Sequence, residues 1–349
     1  MINAFCPEFL PTAVGSLPHR DPVAACDLVR RYLPEIPAWP QLPRRDPQES
    51  IYLQYGSGFP GMVREGDRSF VDRRRDLTPE LEQLYQRYLG ESDGTPGLTP
   101  ECAAGFAHFL TLDFGGARAV KGQVIGPISW GLAVTDQDRR AILYDELLAD
   151  AVGKHLRLQA AWQERQLRRL APQTIMFLDE PYLASYGSAY VAVQREQVLS
   201  LIEEVLAGLQ GLTGIHCCGN TDWSLLLETS ANILNFDAYH HAETLALYPE
   251  ALQTFLDRGG MLAWGIVPVD SDQAVRAETA ESLVARLEEA LARLAAKGVS
   301  GEVLRARSLL TPACGMGTLS EAAAEQALQL VAEVSARMRA HALLARRTG

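Results

Sequence analysis

Short apolar runs alternate with long stretches of helical periodicity along most of this chain. That alternation restricts it to folds built on a parallel sheet. The runs fall at residues 12–15, 119–125, 174–178, 214–218, 233–236, 261–267 and 309–311, and are rich in Val, Ile, Leu and Phe. Strands covered on both faces have this composition. Between them, residues 138–170, 194–209, 245–258, 280–297 and 320–345 carry apolar positions at helical spacing, with Pro172, Gly208, Gly259 and Gly298 marking their ends.

Seven such runs in 349 residues, with an irregular eighth at 51–55, fit an α/β fold of the (β/α)8 TIM-barrel type. A doubly wound open sheet is the alternative. It would open on a Gly-rich G-x-G-x-x-G turn, and Ala13-Val14-Gly15-Ser16-Leu17 is not one. The chain reads as one domain spanning 1–349, with a long insertion after the first strand. This excursion, at about 34–100, holds Pro34, Pro37, Pro40, Pro43, Pro47 and Pro60 and the basic run Arg73-Arg74-Arg75. So long a loop inside a compact domain is expected to have a task such as covering a site. A split into two domains near residue 100 is the alternative.

Composition removes several functions. The net charge of −11 argues against a nucleic-acid partner, which asks for a clustered basic face. No run of about 18 apolar residues is present to span a membrane. The opening Met1-Ile2-Asn3-Ala4-Phe5 lacks the basic and apolar regions of a signal peptide, so a cytoplasmic location is expected. The six cysteines, at 6, 26, 102, 217, 218 and 314, are too sparse for a secreted disulfide framework. In a reducing compartment they are core residues, metal ligands or nucleophiles.

The chemistry concentrates where apolar runs end. Gly214-Ile215-His216-Cys217-Cys218 ends one run, and the two-residue period of a strand puts His216 and Cys218 on one side with Cys217 opposite. Thr311-Pro312-Ala313-Cys314-Gly315 ends a second and Ile233-Leu234-Asn235-Phe236-Asp237 a third. His216, Cys218, Asp237 and Cys314 are either ordinary buried residues or, in a barrel, four ligands converging on one zinc ion. Leu178-Asp179-Glu180-Pro181 brings two carboxylates to the same rim, as acceptors or general bases or as a helix cap. The Gly15-Ser16 turn presents backbone amides suited to a carboxylate or phosphate. His240-His241 reads as a solvated pair on a loop, Arg73–Arg75 as a solvated charge run, and Cys6, Cys26 and Cys102 as core or partly exposed thiols.

Taken in order, residues 12–18, Gly122–Ser129 (GQVIGPIS), Leu178–Pro181 (LDEP), His216–Cys218, Ile233–Asp237 and Thr311–Gly315 (TPACG) resemble the C-terminal barrel of cobalamin-independent methionine synthase. The superfamily also contains uroporphyrinogen decarboxylase. The resemblance implies a (β/α)8 barrel and a zinc-dependent methyl transfer to a thiol, most directly homocysteine. It implies His216, Cys218, Asp237 and Cys314 as zinc ligands, with Asp where the family usually has Glu. It further implies Gly15 and Ser16 at the substrate carboxylate, Asp179 at the substrate amine with Glu180 beside it, and Asp270 near the place of a proton-donating histidine that this chain lacks. The chain has no room for the second barrel of the folate-dependent enzyme, so methylfolate and a methylated corrinoid protein both stand as donors. The alternatives are another thiol acceptor, such as coenzyme M, or a metal-free decarboxylase using Arg44 and Arg45 for carboxylates.

Overall fold

The computed structural model describes residues 5–65, 68–90, 94, 97–188 and 191–348, the side chains of 342–348 excepted. Seven strands form one sheet: β1 (Leu10–Pro11), β4 (Val120–Ile125), β5 (Thr174–Asp179), β6 (Leu212–Cys217), β7 (Ile233–Phe236), β8 (Met261–Val267) and β9 (Ser308–Pro312). Their order is β1-β9-β8-β7-β6-β5-β4, and every neighbouring pair is parallel. A separate antiparallel pair, β2 (Met62–Glu65) and β3 (Arg68–Val71), lies in the excursion. Helices cross between consecutive strands of the large sheet, the longest within the chain's middle being Glu146–Leu167. The sheet is curled, in keeping with a TIM-like barrel.

The two edges of the sheet, β1 and β4, are bridged by residues 37–41. Trp39 N–H donates to the Lys121 carbonyl and Lys121 N–H to that of Pro37. Gln41 N–H donates to the Gly15 carbonyl, and Leu17 N–H to that of Gln41. These are isolated parallel bridges, not a ladder. Pro37 and Pro40 explain why, since a proline has no N–H to give a ladder. The eighth run expected at 51–55 is instead a short helix, Ile51–Gln54. Asp46 caps a turn of 3-10 helix before it, and buried Glu49 accepts from the amides of Leu42 and Ala104, so this stretch coils where an extended strand was expected.

Much of the rest of the described excursion is structured. Its helix Thr78–Gly90 lies against Glu146–Leu167, with the Tyr85 hydroxyl 2.5 Å from Asp150 and the Lys154 ammonium over the rings of Tyr85 and Tyr88. The arginine run is paired and not merely solvated: Arg73 meets Asp145 and Asp136, Arg74 meets Asp72, and Arg75 meets Glu80.

Side-chain alternation sorts each strand into an outer face under the helices and an inner face. Leu10, Ile36, Ala119, Ile175, Phe177, Ile233, Met261, Ala263 and Leu309 form a buried apolar cluster of their own, the floor of the curled sheet. Two or four residues further along the same faces stand Lys121, Gln123, Asp179, His216, Asn235 and Thr311, all buried. A polar layer thus sits directly on an apolar floor that excludes water. Phe177 fills the middle, and Gly214 beside it admits no side chain: a Cβ there would stand 2.4 Å from the Phe177 ring. Gly214→Val should therefore cost about 1–3 kcal/mol of stability by overpacking, read as a lowered denaturation midpoint at unchanged m-value. A neutral result would mean that the floor is loosely packed.

Candidate functional site

The rim is organised around Asn235. It pairs in register with His216 across β6 and β7. Its Nδ2 donates to the Ala263 carbonyl at 2.8 Å and to Thr311 Oγ1 at 2.9 Å. A carbonyl only accepts, so the amide orientation is set and Asn235 Oδ1 faces the imidazole, 2.7 Å from His216 Nδ1. Nδ1 must then carry the proton, which leaves the Nε2 lone pair free. Nε2 is buried and has no hydrogen-bond partner. Metal-ligating histidines are oriented by a bond of this kind.

One nitrogen of His216 and the sulfurs of Cys218 and Cys314 lie within 4.8 Å of one another. In a tetrahedral zinc site, bonds of about 2.0–2.3 Å put ligand atoms within about 4 Å of each other, so small side-chain movements close this triangle on an ion. The donor chemistry fits as well. The Cys218 thiol lies far below its ordinary range because Cys314 donates a hydrogen bond to its sulfur, with His216 adding to the effect against burial. Cys314 is raised correspondingly, first by that same bond and then by burial. For His216, burial works downward, and Cys218 and Asp179 outweigh it upward. His216, Cys218 and Cys314 thus bring one imidazole nitrogen and two sulfurs together, a donor set of the kind that suits zinc. Cys217 points the other way, donates to the Gly219 carbonyl, and is pushed up to about 12 by burial.

Asp179 stands in register between Ile125 and His216. Its Oδ1 is buried without a partner. Burial raises its carboxyl to about 6, while His216 and Lys121 pull against that rise. Lys121, wholly buried, donates to the Val14 carbonyl at 2.6 Å and lies 3.4 Å from Gln123 Oε1. Burial lowers its ammonium to about 8, with Asp179 holding it up. The sequence reading passed over Lys121 and Asn235, since each sits inside an apolar run. The available signal was a polar residue at the inward parity of a buried strand.

Gly15 and Ser16 lie against the loop that bears Cys314. The Ser16 carbonyl accepts from Met316 N–H at 2.9 Å, and its hydroxyl accepts from Gly317 N–H at 3.3 Å. A Cβ on Gly315 would stand 2.2 Å from that hydroxyl, so the loop needs glycine there. Neither the Gly15 nor the Ser16 N–H is hydrogen-bonded among the described residues.

Three expected residues are placed elsewhere. Glu180 turns away from the rim and is fully buried, accepting from the Ile128 and Ser129 amides and the Ser129 hydroxyl. It caps the helix Pro127–Ala133, and its burial raises the carboxyl to about 7. Asp237 is not among the three clustered donors. It caps the helix Ala238–Leu245 through His240 N–H and holds His240 Nδ1 at 2.7 Å. Asp270 is 61% exposed, 3.5 Å from the other nitrogen of His240. His240 is thus on a helix between two carboxylates and not on a solvated loop. Arg45 is committed to Glu49 and Arg44 to the Thr318 carbonyl.

Tyr52, from the short helix of the excursion, meets Tyr182 edge to face at 6.3 Å. Burial pushes its phenol up to about 12, with Tyr182, Cys218, Cys314 and Asp179 contributing. The excursion therefore reaches the site. A cavity of about 470 Å³ opens on the excursion beside Tyr52, lined also by Gln54, Phe59, Met62 and Val134 among others. If Asn235 sets the imidazole, Asn235→Leu should weaken metal binding about 10–100-fold, measured by chelator competition. Unchanged affinity would remove it from the site.

No protein-family model matches the chain, and no curated protein does. Among solved structures it is similar to a B12-independent methionine synthase from a Shewanella species, determined in complex with selenomethionine. The match covers 96% of this chain and 99% of that one, with a TM-score of 0.56 and 15% sequence identity. At that identity the likeness establishes a shared fold along nearly the whole length of both chains.

Proposed function

We propose that this protein is a zinc-dependent S-methyltransferase acting on a small amino-acid thiol, L-homocysteine first, to give methionine. The observation that carries the reading is the cluster of His216, Cys218 and Cys314 donors together with the unpartnered oxygen of Asp179, the residue paired with His216. The methionine synthase of like fold supports it.

His216, Cys218 and Cys314 would hold the ion, three protein ligands being the number that catalytic zinc sites use. An alkyl thiol, with pKa about 8.5, is mostly protonated at neutral pH, and bound zinc supplies the charge that keeps it deprotonated and still nucleophilic. Asp179 accepts from the substrate ammonium. The free amides of Gly15 and Ser16 receive its carboxylate. Fixing the acceptor at both ends orients its sulfur, and orientation is worth up to about 7–11 kcal/mol of barrier in favourable cases. Tyr52 and the excursion exclude water from the mouth. The rim this requires is that of a closed barrel, with residues 37–41 in the place of an eighth strand.

A small donor of the methylfolate kind is one candidate. A methylated corrinoid protein would have to dock over the excursion from outside. Six free thiols suit the reducing cytoplasm. A sulfonate acceptor such as coenzyme M is disfavoured by the Asp179 carboxylate. A metal-free decarboxylase is disfavoured because Arg44 and Arg45 are already engaged.

Purified protein should contain about one zinc per chain. Cys218→Ala and Cys314→Ala should lose zinc and methyl transfer to homocysteine together, and full turnover in either metal-free variant would sink the zinc mechanism. Asp179→Asn should keep its zinc but raise KM for homocysteine about tenfold or more. The same KM in that variant would mean that the carboxylate does not meet the amine.

A further inference from the structure

Lys121 is the charge this mechanism leaves unused. It is completely buried on the inner face of β4, between the apolar floor and the rim. A buried ammonium is costly unless its protons are bonded. Its Nζ lies 2.6 Å from the Val14 carbonyl oxygen, 3.4 Å from Gln123 Oε1 and 4.3 Å from the centre of the Phe177 ring.

The first of these partners gives the residue a function. Val14 immediately precedes Gly15, and the peptide joining them is trans. A trans peptide holds its C=O and N–H in opposite directions. Drawing the Val14 carbonyl onto the ammonium therefore turns the Gly15 N–H away from Lys121. Gln123 completes the support. Its Nε2 donates to the Trp39 carbonyl at 3.2 Å, and its carboxamide fills the space beside Gly15, where a Cβ would stand 2.6 Å from Gln123 Cδ. The turn that offers two unbonded amides thus rests on a platform made by Lys121 and Gln123.

We infer that Lys121 is a positioning residue: with Gln123 it fixes the Val14–Gly15 peptide so that the Gly15 and Ser16 amides face the carboxylate of the acceptor. This rests on the amino-acid-thiol reading above. Lys121 itself touches no substrate atom. It acts at the carboxylate end of the acceptor, whereas Asp179 acts at the amine end.

The test is calorimetric binding to the zinc-loaded protein of three thiols: L-homocysteine, aminopropanethiol, which lacks the carboxylate, and sulfanylbutanoate, which lacks the amine. Lys121→Met keeps the bulk of the side chain and removes its protons and charge. It should weaken homocysteine and sulfanylbutanoate about tenfold or more, leave aminopropanethiol within about twofold, and retain its zinc. Gln123→Leu should show the same pattern at smaller amplitude, and it carries the test if Lys121→Met does not fold. Equal weakening of all three thiols, or unchanged homocysteine affinity in both variants, would overturn the inference while leaving the methyltransferase reading intact. Wild-type protein that binds homocysteine no better than aminopropanethiol and sulfanylbutanoate would overturn both.

Discussion

Every feature of the site depends on strands that all run the same way. Parallel strands place their C-terminal ends at one rim, and side-chain alternation sends every second residue inward. Residues far apart in sequence are thereby delivered to one layer without any long side chain having to reach. His216, Asn235, Asp179 and Thr311 come from four strands, and all stand at the same parity as floor residues below them. The floor matters as much as the rim. Because it is apolar, the polar layer above must satisfy itself, and the two atoms of that layer left without a partner among the described residues, His216 Nε2 and Asp179 Oδ1, mark where a ligand could bind.

The layer is electrically arranged as well as geometrically. Two thiols, an imidazole, a carboxyl and an amine share one water-poor region. Charges there act on each other more strongly than in solvent. Lys121 and Asp179 oppose each other's desolvation, and Cys218 and Cys314 share a proton between them. Asn235 carries no charge, yet it links three strands and sets the tautomer on which the histidine's role depends.

Much of this was legible in the sequence because strand period and apolar runs are local signals. Six of the seven runs coincide with observed strands to within two residues at either end, and the seventh strand lies just before the run at 12–15. The opposition of Cys217 to His216 and Cys218 followed from the same period. That period also separates Asp179 from Glu180, so treating D-E-P as one acidic pair at the rim overlooked what alternation already dictated. The remaining differences are tertiary. Asp237 has the right parity, but its carboxylate is taken up by a helix start and a neighbouring histidine, which no spacing rule reveals. Residues 51–55 have the apolar content of a strand, yet the preceding Asp46 and Pro47 begin a coil that carries them into a helix. Residues 37–41 bridge the sheet edges despite two prolines, because only sparse bonds are needed there.

The joining of Ser16 to the loop of residues 314–317 links segments about 300 positions apart. The Gly15–Ser16 turn is made early in synthesis and the loop that bears Cys314 very late. Until β9 is in place, β1 has no partner in the sheet and Cys218 faces no second thiol. Long-range closure of this kind is slow relative to local structure. A nascent or partly unfolded chain therefore holds a histidine and two adjacent cysteines without the geometry that brings Cys314 to them. The His216–Cys218–Cys314 cluster is complete only once the fold is, and its geometry reports that both ends of the chain have docked.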